Sequence, residues 1–425
     1  MVLLRSPAAE HSVRISMSWR RLFYQPESTY EANGLFTAIQ FITCCNGFIY
    51  RRGHFIVNFW TKLYTMLMPF ITILSLGLGI QQLINDPVES ARFEETDQLW
   101  LAVCVLEMIM ATVAYVLIVY SMVKHTRDHV ELYDRISALD RLLLRDFGVN
   151  LKYHKLMRKN LIEYVILSIV YCVALCWTLF MVKPNKMAHA CGMAYAYLAM
   201  TAGPHCSSYL QVNFAAMLRI RFRLLQKLLD EKFLLAKFPQ SGLREVRLLK
   251  LVDVVRAFHE LIDAINDVYR VTLTVGLAHD FTLVTIILYM LFGHSMGEAV
   301  DGVFFAFGGM WLAVPLHKFL TAPVYCNRAI EEGKRCLRLI EKIDICFPNF
   351  KSAKRIVTAT MHWRLENKIQ FTCGFNMIYN KTIITTITAV VFNYLLILIQ
   401  FRMTQLMGKQ IEEQKNILQD WIGDL

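Results

Sequence analysis

The sequence predicts an all-α polytopic membrane protein with seven transmembrane helices, a cytoplasmic N-terminus, an extracellular C-terminus and long cytoplasmic helical extensions that form an anchor layer. Three observations predict it. Of 425 residues 56% are hydrophobic, yet Lys and Arg outnumber Asp and Glu by 45 to 34, a formal net charge of +11. Soluble domains rarely combine a positive mean hydropathy with a basic pI, whereas polytopic proteins do so because cations collect on one side of their loops. Seven stretches are long and apolar enough to cross a hydrocarbon core about 30 Å thick at about 1.5 Å per residue. Alternate loops also differ sharply in Lys and Arg.

The predicted spans are 58–83, 98–123, 162–182, 190–218, 267–293, 302–322 and 382–402. Residues 1–57 form an N-terminal arm, and its apolar stretch 35–50 contains Gln40 and Asn46 and ends at Arg51-Arg52, so it reads as an interfacial or buried helix. Residues 58–322 hold a six-helix bundle with helical extensions, 323–381 an anchor segment, 382–402 the last span and 403–425 an extracellular tail. The arm and the second, fourth and sixth loops carry 36 Lys and Arg, against 6 on the opposite side, which places the arm in the cytoplasm. The fourth loop repeats apolar residues at i, i+3, i+4 and i+7 through 218–233 and 246–270, so the spans are predicted to run on as amphipathic helices, with 238–242 (FPQSG) as a turn.

Several chemistries find no support. The cysteines fall in spans or on the reducing side, apart from Cys191, and none has the spacing of a zinc site, so neither disulfides nor a metal is expected. No nucleophile elbow, Walker A loop, HExxH helix or dinucleotide fingerprint is present, so neither an enzyme nor a cofactor is expected. His205, His279 and His317 lie in or beside spans, where a neighbouring helix usually satisfies them. The basic excess lacks a folded polar domain that would bind nucleic acid. The one sequon, Asn380-Lys381-Thr382, falls on the cytoplasmic side and should be unused.

The final region, FTCGFNMIYNKTIITTITAVVFNYLLILIQF, resembles the signature of insect gustatory receptors. That family's last helix ends in Thr-Tyr, five mostly hydrophobic residues and Gln-Phe; here the match is Tyr394, the run 395–399, Gln400 and Phe401. Phe371 to Gly374 looks like the family's turn before that helix. Asn393 stands where the family usually has Thr. Insect odorant receptors share the architecture but generally lack this ending.

The resemblance implies a ligand-gated, non-selective cation channel, a homotetramer or a heterotetramer with related subunits, in the plasma membrane of a sensory neuron. Its last helix would line the pore, and its ligand would be a small-molecule tastant. Asn393, Ile397, Gln400 and Phe401 fall within one helical face. Gln400 is the expected polar pore residue, with Ile397 and Phe401 as the constriction; the competing reading is that Gln400 hydrogen-bonds between helices. The family's pocket lies among the second to sixth spans, where Glu107, Trp177, Tyr195, Tyr197, Tyr289 and Trp311 reach similar depth, with Asp280 deeper. Acids inside a bilayer need partners or water, which singles out Glu107 and Asp280. Sugar-sensing members tend to carry Glu after the motif's Tyr, and Leu395 here favours a bitter or other contact chemical. An odorant-receptor-like channel and a seven-helix receptor or transporter without an intrinsic pore are the alternatives.

Overall fold

The structure is a computed structural model that describes residues 26–42, 46–85, 98–149, 151–180, 187–295, 302–374 and 377–423. The seven predicted spans all fall on long helices: α2 (Phe59–Asn85), α3 (Gln98–Lys124), α5 (Tyr153–Phe180), α6 (Met187–Leu228), α8 (Ser241–Ser295), α9 (Gly302–Ile340) and α12 (Thr382–Gly423). Stretches within α2, α3, α8, α9 and α12 are long and apolar enough to cross a membrane. Shorter elements gather at one end: α1 (Thr29–Ile42), α4 (Thr126–Phe147), α7 (Glu231–Lys237), α10 (Ile343–Cys346) and α11 (Ala353–Glu366).

The helices overrun the bilayer. At 55 residues α8 is about 80 Å long, so more than half of it lies beyond any hydrocarbon core. Its amphipathic first half, with the ends of α6 and α9, joins α4, α10 and α11 in one apolar core built on Phe214, Phe222, Phe258, Leu337 and Ile340. The turn predicted at 238–242 is shorter, 238–240, since α7 ends at Lys237 and α8 starts at Ser241.

The arm's apolar stretch is a buried helix followed by a hairpin. Gln40 donates to the Cys206 carbonyl at 3.2 Å and Asn46 to the Thr37 carbonyl at 2.9 Å, which explains amides in an apolar run. Strands β1 (Ile49–Arg51) and β2 (His54–Ile56) pair antiparallel in register Ile49↔Ile56. Arg52 and Gly53 both have positive φ, 52° and 87°, which a two-residue turn needs to match strand twist. Asn58 then accepts from the Thr61 backbone N–H at 2.8 Å and caps α2.

A buried ion pair locks this end. Arg221 on α6 donates Nε to Asp140 Oδ1 at 2.8 Å and Nη2 to Oδ2 at 2.5 Å, and Asp140 also accepts from Thr29 and Tyr153 hydroxyls at 2.9 Å each. Four elements, α1, α4, α5 and α6, therefore meet on one satisfied carboxylate. An amide relay adds to it: Asn160 donates to Asn213 at 2.5 Å, and Asn213 to Asn33 at 2.6 Å.

Candidate functional site

The last helix begins from a built platform. Strands β3 (Thr372–Cys373) and β4 (Met377–Ile378) form a hairpin immediately ahead of α12. Asn266 of α8 clips it from both sides of the amide, donating to the Gln370 carbonyl at 2.9 Å and accepting from the Thr372 N–H at 3.1 Å. Phe371 is buried, and its carbonyl accepts from the Tyr379 N–H at 2.8 Å. Gly374 has φ 52°, and a Cβ there would stand 3.2 Å from Thr274, so both backbone and space favour glycine. Asn380 caps α12 by accepting from the Thr382 N–H at 2.9 Å. Sequence reasoning saw the Phe371 to Gly374 motif but neither Asn266 nor Thr274, because both are distant in the chain.

Helix α12 has one dressed face. Ile383 and Val391 are buried, Ile384 and Ile387 pack on the main core, and Leu395 and Leu398 pack on Val103, Ile286 and Tyr289. These positions advance by three and four residues, so they form a single stripe. Asn393 and Gln400 are exposed on the opposite side, flanked by Leu396, Ile397 and Phe401, the last 61% exposed. Only 11% of the most apolar stretch of α12 is buried within the chain, against 50% of that of α8. Tyr394 sits at the edge of the stripe, its ring edge-on to Phe281 at 5.5 Å. The helix does not stop near 402 but continues to Gly423, about 63 Å for its 42 residues.

A second group of named residues converges between α3, α6 and α9. Glu107 is 7% exposed and accepts from the Tyr197 hydroxyl at 3.2 Å. The Trp311 ring stands edge-on to Tyr197 at 5.2 Å and to Tyr171 at 6.3 Å, and Tyr171 in turn meets His205 at 6.2 Å. A buried carboxylate is thus bonded to a tyrosine that opens a run of edge-on aromatic rings. Asp280 adjoins this group through His279, which is within electrostatic reach of Glu107 and places its Nδ1 3.6 Å from Asp280 Oδ1, while Lys318 of α9 pairs with the other oxygen. That pairing answers the cost of burying a carboxylate in a span. Tyr289 is buried in the seam behind α12, and Tyr195 is 41% exposed on α6. The backbone of Trp177 is helical, but its side chain lies outside the described residues. Tyr171 and Lys318 went unnamed because nothing in a helical pattern fixes which neighbour a side chain meets.

Among the described residues no group of His, Cys, Asp and Glu is placed to hold a metal, and none of the nine described cysteines forms a disulfide. Cys44 and Cys45 lie outside the described residues.

A seven-helix bundle whose last helix is bare on one face, with a buried acid bonded to a tyrosine, fits a membrane receptor for small molecules, and residues 42–405 match the family described as 7tm Chemosensory receptor. The Drosophila melanogaster chain designated gustatory receptor 57a is 38% identical over 409 residues, covering 94% of this chain and 98% of that one. The fly chain designated gustatory receptor 47b is 21% identical over 386 residues, with 88% and 91% covered. The chain belongs to the insect gustatory receptor family, a family of multi-pass chemosensory receptors rather than enzymes. Its fold is also that of the insect olfactory receptor OR5 from Machilis hrabei: TM-score 0.62 and 11% identity, covering 86% of this chain and 98% of that one. The same receptor solved in complex with eugenol gives 0.58 and 10%, with 86% and 97% covered.

Proposed function

We propose that the chain is one subunit of a tetrameric, ligand-gated, non-selective cation channel in the plasma membrane of a sensory neuron, opened by a small-molecule tastant. The observation that carries this reading is the undressed face of α12: the described residues leave the amides of Asn393 and Gln400 exposed beside Leu396, Ile397 and Phe401. Amides are costly against lipid, so that face belongs against water or another copy. Four copies around an axis put rings of bulky apolar groups next to rings of amides. A narrow apolar ring stops ions by dewetting, and widening it lets the amides and water support them.

Glu107, Tyr197 and Trp311 are the proposed ligand contacts, and Asp280 is assigned to the scaffold because Lys318 neutralises it. Coupling has a short route. Val103 lies one turn from Glu107 on α3 and packs with Tyr289 against Leu395 and Leu398 of α12. A ligand that shifts α3 therefore presses on the dressed stripe of the pore helix. Leu395 directs the reading to a bitter or other contact chemical rather than a sugar, and the N-terminus is assigned to the cytoplasm.

The test is accessibility under current. In cells expressing the chain alone or with a related subunit, Gln400→Cys is expected to let a water-soluble thiol reagent cut the tastant-evoked cation current. A monomeric assembly, or a Gln400→Cys channel that carries full current after complete thiol labelling, overturns the reading. An N-terminal epitope stained on intact cells would reverse the orientation.

A further inference from the structure

Three helices bring cations to one level, just where their apolar stretches end. Helix α5 supplies Lys159, α6 supplies Arg219 and Arg223, and α9 supplies Tyr325 and Arg328. The Lys159 ammonium stands 3.7 Å over the Tyr325 ring. Arg219 lies within the electrostatic reach of Arg223, Arg328, Glu332 and Tyr325. Burial, followed by those two guanidiniums, lowers the Arg219 pKa from its ordinary value.

Among the described residues the carboxylates recorded against these cations are Glu332 and Glu163, and each is shared. Glu332 pairs with Arg223 at 2.8 Å and Arg335 at 3.3 Å and also accepts from Gln226 at 2.9 Å. Glu163, 3.7 Å from Lys159, is shared with the hydroxyls of Tyr209 and Tyr325. Arg219 keeps a buried Nε without a hydrogen-bond partner, and Arg328 is exposed. Like charges held this close in a partly dehydrated place repel unless an anion joins them.

The surroundings say what kind of anion. On α5 the residues after Lys159 present Ile162, Ile166 and Ile169, which are 47%, 55% and 56% exposed and step along one face of the helix. On α9, Leu320 is 53% exposed about two turns before Arg328. A charged head at the helix ends with an apolar track running away into the bundle's outer surface matches a molecule that carries both.

We propose that Arg219 and Arg328, with Lys159 beside them, bind the phosphate of an anionic phospholipid whose acyl chains lie on the exposed face of α5. Such a lipid ties α5, α6 and α9 together at the junction between the bundle and the end layer. The site is separate from both α12 and Glu107, and it stands or falls independently of the channel reading.

The full chain, purified in detergent, is titrated with dioleoyl phosphatidic acid, with dioleoyl phosphatidylcholine and with glycerol 3-phosphate, and retention is read by native mass spectrometry. Phosphatidic acid is expected to be retained preferentially, and R219Q/R328Q to lose about twentyfold of it while phosphatidylcholine retention is unchanged. Because Arg328 is exposed, R328Q alone should fold as the parent does and lose about fivefold, which decides the matter if the double variant misfolds. K354Q/R355Q removes two exposed cations of α11 and should change nothing. Equal retention by parent and R328Q, an equal loss in K354Q/R355Q, or binding of glycerol 3-phosphate as tight as that of the lipid each overturns the proposal.

Discussion

Helices α8 and α12 both run far past a bilayer's thickness, yet one is finished inside the chain and the other is not. The most apolar stretch of α8 is 50% buried, and its extension fills the core of the end layer; that of α12 is 11% buried. Polar groups follow the same division. On α8, Asn266 grips the hairpin and Asp280 pairs with Lys318, whereas Asn393 and Gln400 on α12 are exposed. A polar group satisfied within its own chain serves the fold, and one left bare in an apolar helix must be satisfied by something the chain meets later. Substitutions in the two regions should therefore separate stability from activity.

The largest effect is expected at Arg221. Arg221→Ala leaves Asp140 buried with its charge uncompensated, a loss of about 3–5 kcal/mol, read as a large drop in thermal stability of the purified chain. A small drop would mean that the end layer is not held as a unit by this pair. Acid comes next. Burial pushes His259 down to about 4 and His129 down to about 3 from an ordinary 6.5. Between those values and 6.5 the unfolded chain binds more protons than the folded one, so stability is full above 6.5 and falls as the pH drops. Each histidine contributes about 1.4 kcal/mol per pH unit within its window. Melting measured from pH 7.5 to 5 should show the decline, and His259→Gln should flatten it.

Smaller again is Asn266→Ala, which strands the Thr372 N–H and the Gln370 carbonyl at about 1–3 kcal/mol. This residue belongs to the matched region but holds the platform from which α12 starts. It should lower stability and also shift the ligand concentration needed for current. An effect on stability alone would break the link between the two regions.

The spans were legible because twenty apolar residues in a row leave few other possibilities, and the continuation of α8 was legible in its 3.6-residue repeat. The motif at Phe371 to Gly374 was legible as a turn through its resemblance to the family's turn before the last helix, but its fixing by Asn266 depends on how α8 is rotated. The same applies at the acids. Glu107 and Asp280 were conspicuous as carboxylates within apolar runs, yet only packing shows that Lys318 takes Asp280 while Tyr197, backed by Trp311, takes Glu107. The hairpin at Ile49–Ile56 was hidden by an apolar stretch that reads equally well as helix, although Arg52-Gly53 carried the turn. Periodicity reveals which face of an element is apolar; the partner of a polar side chain is set by register between elements.

The smallest stability change is expected at Gln400, and it sharpens the comparison most. Within one chain Gln400→Ala removes a side chain that faces outward, so the melting of the isolated subunit should move by no more than about 0.5 kcal/mol. If α12 lines water in the assembly, the same change should alter conductance or gating while the tetramer stays intact. If instead Gln400 bonds between helices of neighbouring copies, the result inverts: the assembly dissociates more readily and the current per intact channel is unchanged. Measuring assembly stability and single-channel conductance on the same variant therefore distinguishes a wall around a conduit from a rivet between subunits, because water replaces a lost amide in the first case and nothing replaces it in the second.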